Sequence, residues 1–273
     1  MFLLIDAAGR FPLGDDGEPL LIDAPPATAD LSSPVRIKPG VTAARVRGVD
    51  AADLAGPGGG TGDARTHAGH PLAARAVGLV TARERYRYDP ADGSELTWGD
   101  GGIVARGASG AAIFPRLDPC VIGVVEDPGR ERILLVENSR RPGYFTLVAG
   151  YVDVGETLEA AFAREVWEET GRRVTNIGYL RSQPWPASGA LMVGMTGRTA
   201  DIDALGPTDE ELTRTRWATR AELETLTLAA EGTIARALIE HWAHQPDARS
   251  QQHHLSQPNH PTRTTRKEHS NGD

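Results

Sequence analysis

The segment GYVDVGETLEAAFAREVWEETG, residues 150–171, constrains this chain more than any other because it combines a helical repeat with five glutamates. It predicts a helix over about residues 157–170 that ends at Gly171. At about 100° per residue, one apolar stripe is formed by Leu158, Phe162 and Val166. The same stripe continues onto Glu169, where a helix that packs on a core should carry an apolar residue. A carboxylate at that position needs a positive partner.

The neighbouring glutamates increase the need for a positive partner. Glu165 lies four residues before Glu169, and Glu168 lies beside it. Like charges at this spacing repel by about 0.2 to 0.5 kcal/mol per pair even in water, and Arg164 offsets only part of that charge. Mg²⁺ and Mn²⁺ prefer hard oxygen ligands and are commonly held by a few carboxylates together with the phosphate oxygens of a substrate. The alternative is a solvated acidic face, as on most Glu-rich helices.

The composition narrows the class of protein. A length of 273 residues fits one large domain or two small ones. A net charge of −8 and a pI near 5.5 argue against bulk electrostatic binding of nucleic acid, although nucleic acid could still be a substrate. The single cysteine, Cys120, excludes an intrachain disulfide and favours a reducing, cytoplasmic compartment. The N-terminal MFLLIDAAGR fits neither a signal peptide nor a membrane span.

Four patterns organise the first half of the chain. Residues 1–40 carry two short apolar runs, FLLID and PLLID, which predict a small β unit. Residues 55–71 are rich in glycine and predict a loop. The run LAARAVGLVTARERYRY predicts a helix that begins near Leu72. Residues 89–117 are predicted to be irregular.

The second half of the chain is predicted to contain strands, a last helix and a tail. The runs CVIGVVED and RILLVEN predict two paired strands, and ALMVGMTGRT a further one. The run NIGYLRSQPWP is interrupted by two prolines that a central strand would not accept. In the last helix, GTIARALIEHWAHQ, an apolar stripe is formed by Ile234, Leu238 and Trp242. Residues 246–273 have no apolar periodicity and are predicted to be a disordered tail.

The spacing of the glutamate-rich segment resembles the Nudix box. Gly150 is followed by Glu156 and then by REVWEETG, residues 164–171. The resemblance implies a loop–helix–loop that binds divalent metal and cleaves nucleoside diphosphates linked to another moiety. One position departs from the pattern, because Arg172 stands where a hydrophobic residue usually follows the final glycine. Val174, two residues on, could supply that packing.

Further segments resemble the NADH pyrophosphatase branch of this family: FPRLDP, VAGYVDVGE, SQPWP and GTIARALI, within about residues 73–242. The implied fold is α+β, a Nudix α/β/α sandwich with a mixed sheet behind a small β-rich, Nudix-like N-terminal domain and a zinc-ribbon remnant. The implied domains are 1–85, 86–117 and 118–245, followed by the tail. The implied activity is cleavage of NAD(H) to a nicotinamide mononucleotide and AMP, with removal of NAD caps from RNA, by a homodimer that has no membrane partner.

The resemblance also assigns residues. Mg²⁺ or Mn²⁺ would be held by the carbonyl of Ala149 and by Glu165, Glu168, Glu169 and Glu211. Catalysis would fall to Glu165, Glu168 and Glu169, with Glu168 a ligand or the base that activates water. Asp209 or Glu210 could replace Glu211. The substrate contacts would be Phe114, Tyr151, Gln183, Pro184, Trp185, Pro186, Ala187, Ser188, Gly189, Ala190 and Ala235. Tyr151 would stack on a base, or would be an ordinary half-exposed strand tyrosine.

Two departures bear on function. The two CxxC pairs of the family's zinc ribbon are missing: Asp89 and Asp92 stand at the first pair and Gly107 at the second, so zinc is not expected. After SQPWP the family has an aromatic residue and a serine, whereas this chain has residues 187–190, ASGA. The substrate could therefore be ADP-ribose or a nucleotide sugar instead. A non-catalytic binding protein of degenerate Nudix type is a further alternative.

Overall fold

The computed structural model describes residues 1–138, 142–209 and 211–245. The predicted tail, 246–273, and the alternative ligand Glu210 lie outside the described residues. Among the helices of the described part, none is long and apolar enough to cross a membrane.

The described chain contains short helices and many strands, which confirms the α+β class. The strands are β1 (Phe2–Ile5), β2 (Phe11–Pro12), β3 (Asp30–Lys38), β4 (Val41–Arg47), β5 (Thr61–Gly62), β6 (Thr97–Gly99), β7 (Val104–Arg106), β8 (Asp118–Glu126), β9 (Arg132–Asn138), β10 (Phe145–Thr146), β11 (Val148–Tyr151), β12 (Thr175–Trp185), β13 (Ala190–Arg198) and β14 (Leu212–Thr219). The helices are α1 (Ala51–Leu54), α2 (Pro71–Arg85), α3 (Leu158–Thr170), α4 (Arg220–Leu223) and α5 (Ile234–Ala243).

The N-terminal part is built on a small sheet of order β1-β4-β3, in which β1 runs parallel and β3 antiparallel to β4. Side chains alternate across β1: Leu3 and Ile5 pack toward α2, and Leu4 packs on the opposite face. The predicted helix near Leu72 is α2. The predicted strand PLLID contributes only isolated bridges, such as the one from Ile22 to Phe2, and the sheet takes its long strands from residues 30–47 instead.

Residues 86–117 are more ordered than their sequence indicates, because β6 and β7 form an antiparallel hairpin. Asp89 is buried beside it, and its carboxylate accepts hydrogen bonds from Ser109 Oγ at 2.5 Å and from the Ala91 N–H at 2.9 Å. Gly107 lies directly against Asp89 and Ser94, where a Cβ would overlap with both side chains. The two remnant positions of the ribbon therefore meet, and hydrogen bonds join the segment that carries them.

We expect Asp89→Ala to lower the free energy of unfolding by about 1 to 3 kcal/mol, the usual cost of leaving buried donors without an acceptor. Asp89→Asn keeps one acceptor oxygen and should lose less. Urea denaturation measures both changes. With Mg²⁺ in excess, adding zinc should leave the midpoints of wild type and of both variants unchanged. A midpoint that zinc raises in wild type but not in Asp89→Ala would mean that this segment holds zinc.

The C-terminal part is built on a seven-stranded mixed sheet with the main order β10-β9-β8-β13-β12, to which β11 adds on β8 and β14 on β9. The predicted pairing of β8 with β9 is present at Glu126 and Ile133, whereas β8 pairs along its length with β13, in parallel. The run that the prolines were expected to interrupt is the continuous strand β12. Pro184 is tolerated there because β12 lies at the edge of the sheet.

The sheet is covered on both faces by helices. Along β8, Val121 and Val125 point to the core under α3, and Ile122 and Val124 to the core under α5. The predicted stripes of both helices are the buried ones: Phe162 and Val166 on α3, and Ile234, Leu238 and Trp242 on α5. This is the predicted α/β/α sandwich. The exact domain boundaries stay predictions.

Candidate active site

The glutamate-rich helix has the boundaries that its sequence predicts. Thr157 caps the N-terminus of α3, where its Oγ1 accepts a hydrogen bond from the Ala160 N–H at 3.2 Å. Gly171 ends the helix in the left-handed conformation with φ 65°. Glu169 continues the apolar stripe and is only 7% exposed. The predicted inward-facing carboxylate is therefore present.

Glu169 has an uncompensated environment. Its Oε2 is buried and makes no hydrogen bond within the described part of the chain. Burial is the main cause that raises the pKa of Glu169 to about 8, and the nearby Glu165, Asp209, Glu211 and Glu168 add to it in that order. A buried carboxyl oxygen without a partner is costly, and such groups commonly mark a functional site.

Glu165 lies beside Glu169 and faces β11. Burial raises the pKa of Glu165, and hydrogen bonding and charge from Arg164 oppose that rise. The carboxylate of Glu165 sits directly over Gly150, where a Cβ would overlap with it. Glycine is therefore required at position 150 for space, because only a backbone without a side chain lets this carboxylate approach the strand.

Arg164 organises the remaining acids of the helix. Its Nε donates to Glu156 at 2.7 Å, and its Nη1 donates to Glu165 at 2.8 Å and to Glu168 at 2.9 Å. Its Nη2 donates to Glu156 and to the carbonyl of Tyr151, both at 2.9 Å. The bonds from Arg164 are the main cause that lowers the pKa of Glu156 to about 2. Glu156 thus anchors the loop before the helix, whereas Glu165 and Glu168 are held in position.

An acidic loop reaches the same site from a distant part of the sequence. The Asp209 N–H donates to the carbonyl of Glu168 at 2.9 Å, and Asp209 Oδ1 accepts from the Glu211 N–H at 3.1 Å. Both carboxylates raise the pKa of Glu169, Asp209 more than Glu211. The resemblance assigned Glu211, with Asp209 as an alternative, and both carboxylates lie near Glu169.

The negative charge of this site also acts on Cys120 of β8. Cys120 pairs with Tyr151 across β8 and β11, and burial, followed by Glu165 and Glu169, raises the pKa of its thiol to about 12. Cys120 is therefore a buried thiol rather than a nucleophile.

The donor set fits a hard divalent cation. In the described residues, no three His, Cys, Asp or Glu side chains already converge as a metal-holding group. The side chains around Glu169 nevertheless offer oxygen donors, one of which is buried and unpartnered. The groups that could hold Mg²⁺ or Mn²⁺ are Glu165, Glu168, Glu169, Asp209 and Glu211. Ala149, the remaining predicted ligand, lies on β11 next to Gly150.

The predicted substrate residues fall into separate places. Tyr151 and Phe114 are 56% and 59% exposed. Trp185 and Ala235 line one cavity of about 470 Å³, together with Tyr144 and Met192. The structure thus brings Trp185 and Ala235 together, as the resemblance implies.

Gln183 has a different environment from the one predicted. Its Oε1 accepts from the Ile234 N–H and its Nε2 donates to the Gly232 carbonyl, both at 2.7 Å. The side chain therefore ties β12 to the first turn of α5. No local pattern indicates this contact, because it joins segments about fifty residues apart.

The segment after Gln183 turns toward the N-terminal part. Pro184 is exposed at the edge of the sheet, whereas Pro186 and Ala190 are buried. The exposed Ala187 and Ser188 offer their carbonyls to the guanidinium of Arg85 on α2, both at 2.9 Å. Gly189 takes a positive φ of 89° in this turn.

The fold and the acidic helix define a Nudix domain, and residues 116–241 match the family described as NUDIX domain. This match covers a little less than half of the chain. The chain is 46% identical over 130 residues to the NAD-capped RNA hydrolase NudC of Vibrio vulnificus, covering 46% of this chain and 47% of that protein. It is 33% identical over 188 residues to the protein of the same name from Mycobacterium bovis, covering 63% and 60%. These similarities confirm the predicted family and agree with the predicted branch.

The chain spans about half the length of the curated relatives it matches. Among solved structures, a NUDIX hydrolase from Nitrosomonas europaea is similar at 18% identity and a TM-score of 0.46, covering 63% of this chain and 95% of that one.

Proposed function

We propose that this protein hydrolyses the pyrophosphate bond of NAD(H) to a nicotinamide mononucleotide and AMP with a divalent cation, and that it removes NAD caps from RNA. The observation that carries the proposal is the buried, unpartnered carboxyl oxygen of Glu169, surrounded by further acids on the helix of a NUDIX domain. Relatives named NAD-capped RNA hydrolase support the choice of substrate.

The chain's own residues have distinct parts in this proposal. Bound Mg²⁺ or Mn²⁺ would screen the charge of the pyrophosphate and make water more acidic. Glu165 and Glu169 would hold the cation, together with Asp209 or Glu211. Glu168 is exposed enough to meet water, and its bond to Arg164 fixes its direction. Glu168 takes the proton of the water that attacks phosphorus, and the bond from phosphorus to the bridging oxygen breaks.

Aromatic groups support binding of a dinucleotide. The exposed ring of Tyr151 follows directly on Gly150, and the cavity beside Trp185 has the volume of a small-molecule site. Stacking on an aromatic ring is worth about 1 to 3 kcal/mol per base. Tyr151 and the cavity at Trp185 are therefore the proposed subsites for the two ends of the substrate.

One observation favours a second candidate function. Residues 187–190 carry only small side chains, and their turn is tied to Arg85. This segment offers no ring to a nicotinamide, so ADP-ribose or a nucleotide sugar is the alternative substrate. A homodimer and a cytoplasmic location complete the proposal, supported by the resemblance and by the single cysteine.

A substrate panel with Mn²⁺ tests the proposal. NADH, NAD⁺, NAD-capped RNA and ADP-ribose are incubated with the full chain, and the products are identified by mass. The expected result is a nicotinamide mononucleotide with AMP from NADH, and 5′-monophosphate RNA from capped RNA. Ribose phosphate formed mainly from ADP-ribose would favour the second candidate. Turnover no faster than that of Glu169→Gln on every substrate would overturn both and favour a non-catalytic binding protein.

A further inference from the structure

The residue that departs from the Nudix pattern, Arg172, is buried at the end of α3 with only 7% of its surface exposed. Its Nε and Nη2 both donate to the carbonyl of Ile202, at 3.1 and 3.0 Å, and its Nη1 donates to the carbonyl of Thr170 at 2.8 Å. The indole N–H of Trp217 donates to the same Ile202 carbonyl at 2.9 Å. Arg172 thus directs its guanidinium at the backbone of a loop thirty residues away in sequence.

That loop lies along the C-terminal end of the helix. Gly206 packs against the ring of Trp167 so closely that a Cβ would overlap with it, and a Cβ on Gly171 would overlap with the Gly206 carbonyl. The Leu205 N–H donates to the carbonyl of Gly171 at 2.8 Å. The docking is therefore close along the whole stretch that follows Ile202.

The loop continues directly into the active site. Beyond Leu205, the Asp209 N–H donates to the Glu168 carbonyl at 2.9 Å, and the charges of Asp209 and Glu211 are felt at Glu169. Only six residues, 203–208, separate Ile202, whose carbonyl Arg172 holds, from Asp209, the first of these carboxylates. Its path is fixed at Ile202 by Arg172 and at Asp209 by the helix.

We propose that Arg172 is a positioning residue that holds the segment from Ile202 to Asp209 against α3, so that Asp209 and Glu211 face Glu165 and Glu169 and strengthen the binding of a divalent cation. The inference rests on the proposed function for the existence of the cation site. A hydrophobic side chain at position 172 could fill the same space but could not donate to Ile202, which would keep only the bond from Trp217.

The direction of the change in cation affinity distinguishes a positioning role of Arg172 from a direct effect of its charge. Removing a positive charge near a cation site should strengthen cation binding by Coulomb's law. If Arg172 acts through the loop, its removal weakens binding instead. Mn²⁺ alone, titrated into the full metal-free chain without nucleotide and followed by calorimetry, measures this directly.

We expect Arg172→Leu to weaken Mn²⁺ binding by about tenfold, the usual scale for groups that orient metal ligands. The matched control is Arg173→Leu, which removes the same charge one residue away. Arg173 also bonds to this loop, through Asp201, but 68% of its side chain is exposed, and we expect its replacement to change binding less than about twofold. Arg172→Lys keeps the charge and one donor direction, so it should recover part of the affinity.

Hydrogen exchange gives a readout that does not depend on activity. In the metal-free protein, the amides of residues 202–209 should exchange faster in Arg172→Leu than in wild type or Arg173→Leu. Two double-mutant cycles on Mn²⁺ affinity, one pairing Arg172→Leu with Glu211→Gln and the other with Asp209→Asn, should be non-additive, because both changes in each cycle act through the same loop.

Three results would overturn the proposal. One is Mn²⁺ affinity in Arg172→Leu equal to that of wild type, or higher. Another is unchanged exchange over residues 202–209. The third is additivity in both cycles. If Arg172→Leu does not fold, Arg172→Lys, which presents a single donor group, takes its place. Mn²⁺ affinity and hydrogen exchange equal to those of wild type in Arg172→Lys would then overturn the proposal. If the proposed function is wrong, the result is different, because the wild-type chain itself then binds no Mn²⁺ or cleaves no dinucleotide.

Discussion

Replacing Glu169 by glutamine is expected to lower kcat for NADH hydrolysis by about 10²- to 10³-fold, the range found when one preorganised charged or polar group is removed from an active site. Glutamine has nearly the same shape as glutamate, so the packing under α3 should persist. What is lost is the buried, unpartnered carboxylate that the cation requires. Steady-state kinetics with saturating Mn²⁺ measures the change.

The same substitution, which should lower turnover, should raise the free energy of unfolding of the metal-free protein. The pKa of Glu169 in the folded protein is about 8, compared with an ordinary value of 4.5. The unfolded chain therefore releases this proton first. The contribution of Glu169 to the stability of the metal-free protein is greatest below about pH 4.5 and is lost as the pH rises through 8. Each displaced pKa unit corresponds to about 1.4 kcal/mol. Glu169→Gln should remove the loss of stability with rising pH that Glu169 causes. Urea unfolding in EDTA at several pH values measures it.

The matched control for both measurements is Glu159→Gln. Glu159 lies on the same helix, undergoes the same chemical change and is exposed. Its replacement should alter neither kcat nor the pH dependence of stability by an amount outside experimental scatter. Equal kinetic losses in both variants would show that the total charge of the helix, and not the buried position of Glu169, supports turnover.

Gly150→Ala is expected to lower kcat by about 10²-fold, because misplacing a catalytic group by about 1 Å commonly costs that much. The added methyl group would overlap with the carboxylate of Glu165. Since that carboxylate is the end of a flexible side chain, it should move and the strand should not. The free energy of unfolding should then change by less than about 1 kcal/mol.

Gly178→Ala is the control for this second prediction. Gly178 lies on β12 of the same sheet, and a Cβ there would meet only Thr196 Oγ1, at an ordinary 3.7 Å. Kinetics and urea unfolding of the two variants compare a glycine needed by a carboxylate with one that is not. Wild-type turnover in Gly150→Ala would mean that Glu165 works from a displaced position, or does not hold the cation.

The helices were predictable because their signals are local. The repeat of Leu158, Phe162 and Val166, the glycine at position 171 and the inward Glu169 all lie within a few turns. The stripe of α5 is equally local. Helical hydrogen bonds join residues four apart, so a short sequence window contains most of the information.

Strands were harder to predict because their partners are distant. The residues around PLLID have the right alternation but form only bridges, and residues 175–185 form one long strand despite Pro184. A strand depends on which neighbour it pairs with and on whether it lies at an edge, and neither is written in its own residues. The hairpin at residues 97–106 was missed for the same reason.

The sequence by itself determined the acidic helix, its end at Gly171, its buried face and its resemblance to the Nudix family. Only the tertiary structure decided that Gly150 lies under Glu165, that Arg172 is buried against the Ile202 carbonyl, and that Asp209 reaches the helix. The physical reason is sequence separation: capping and periodicity act between neighbours, whereas these contacts join segments up to about forty residues apart, which only the packing of the sheet and α3 brings together.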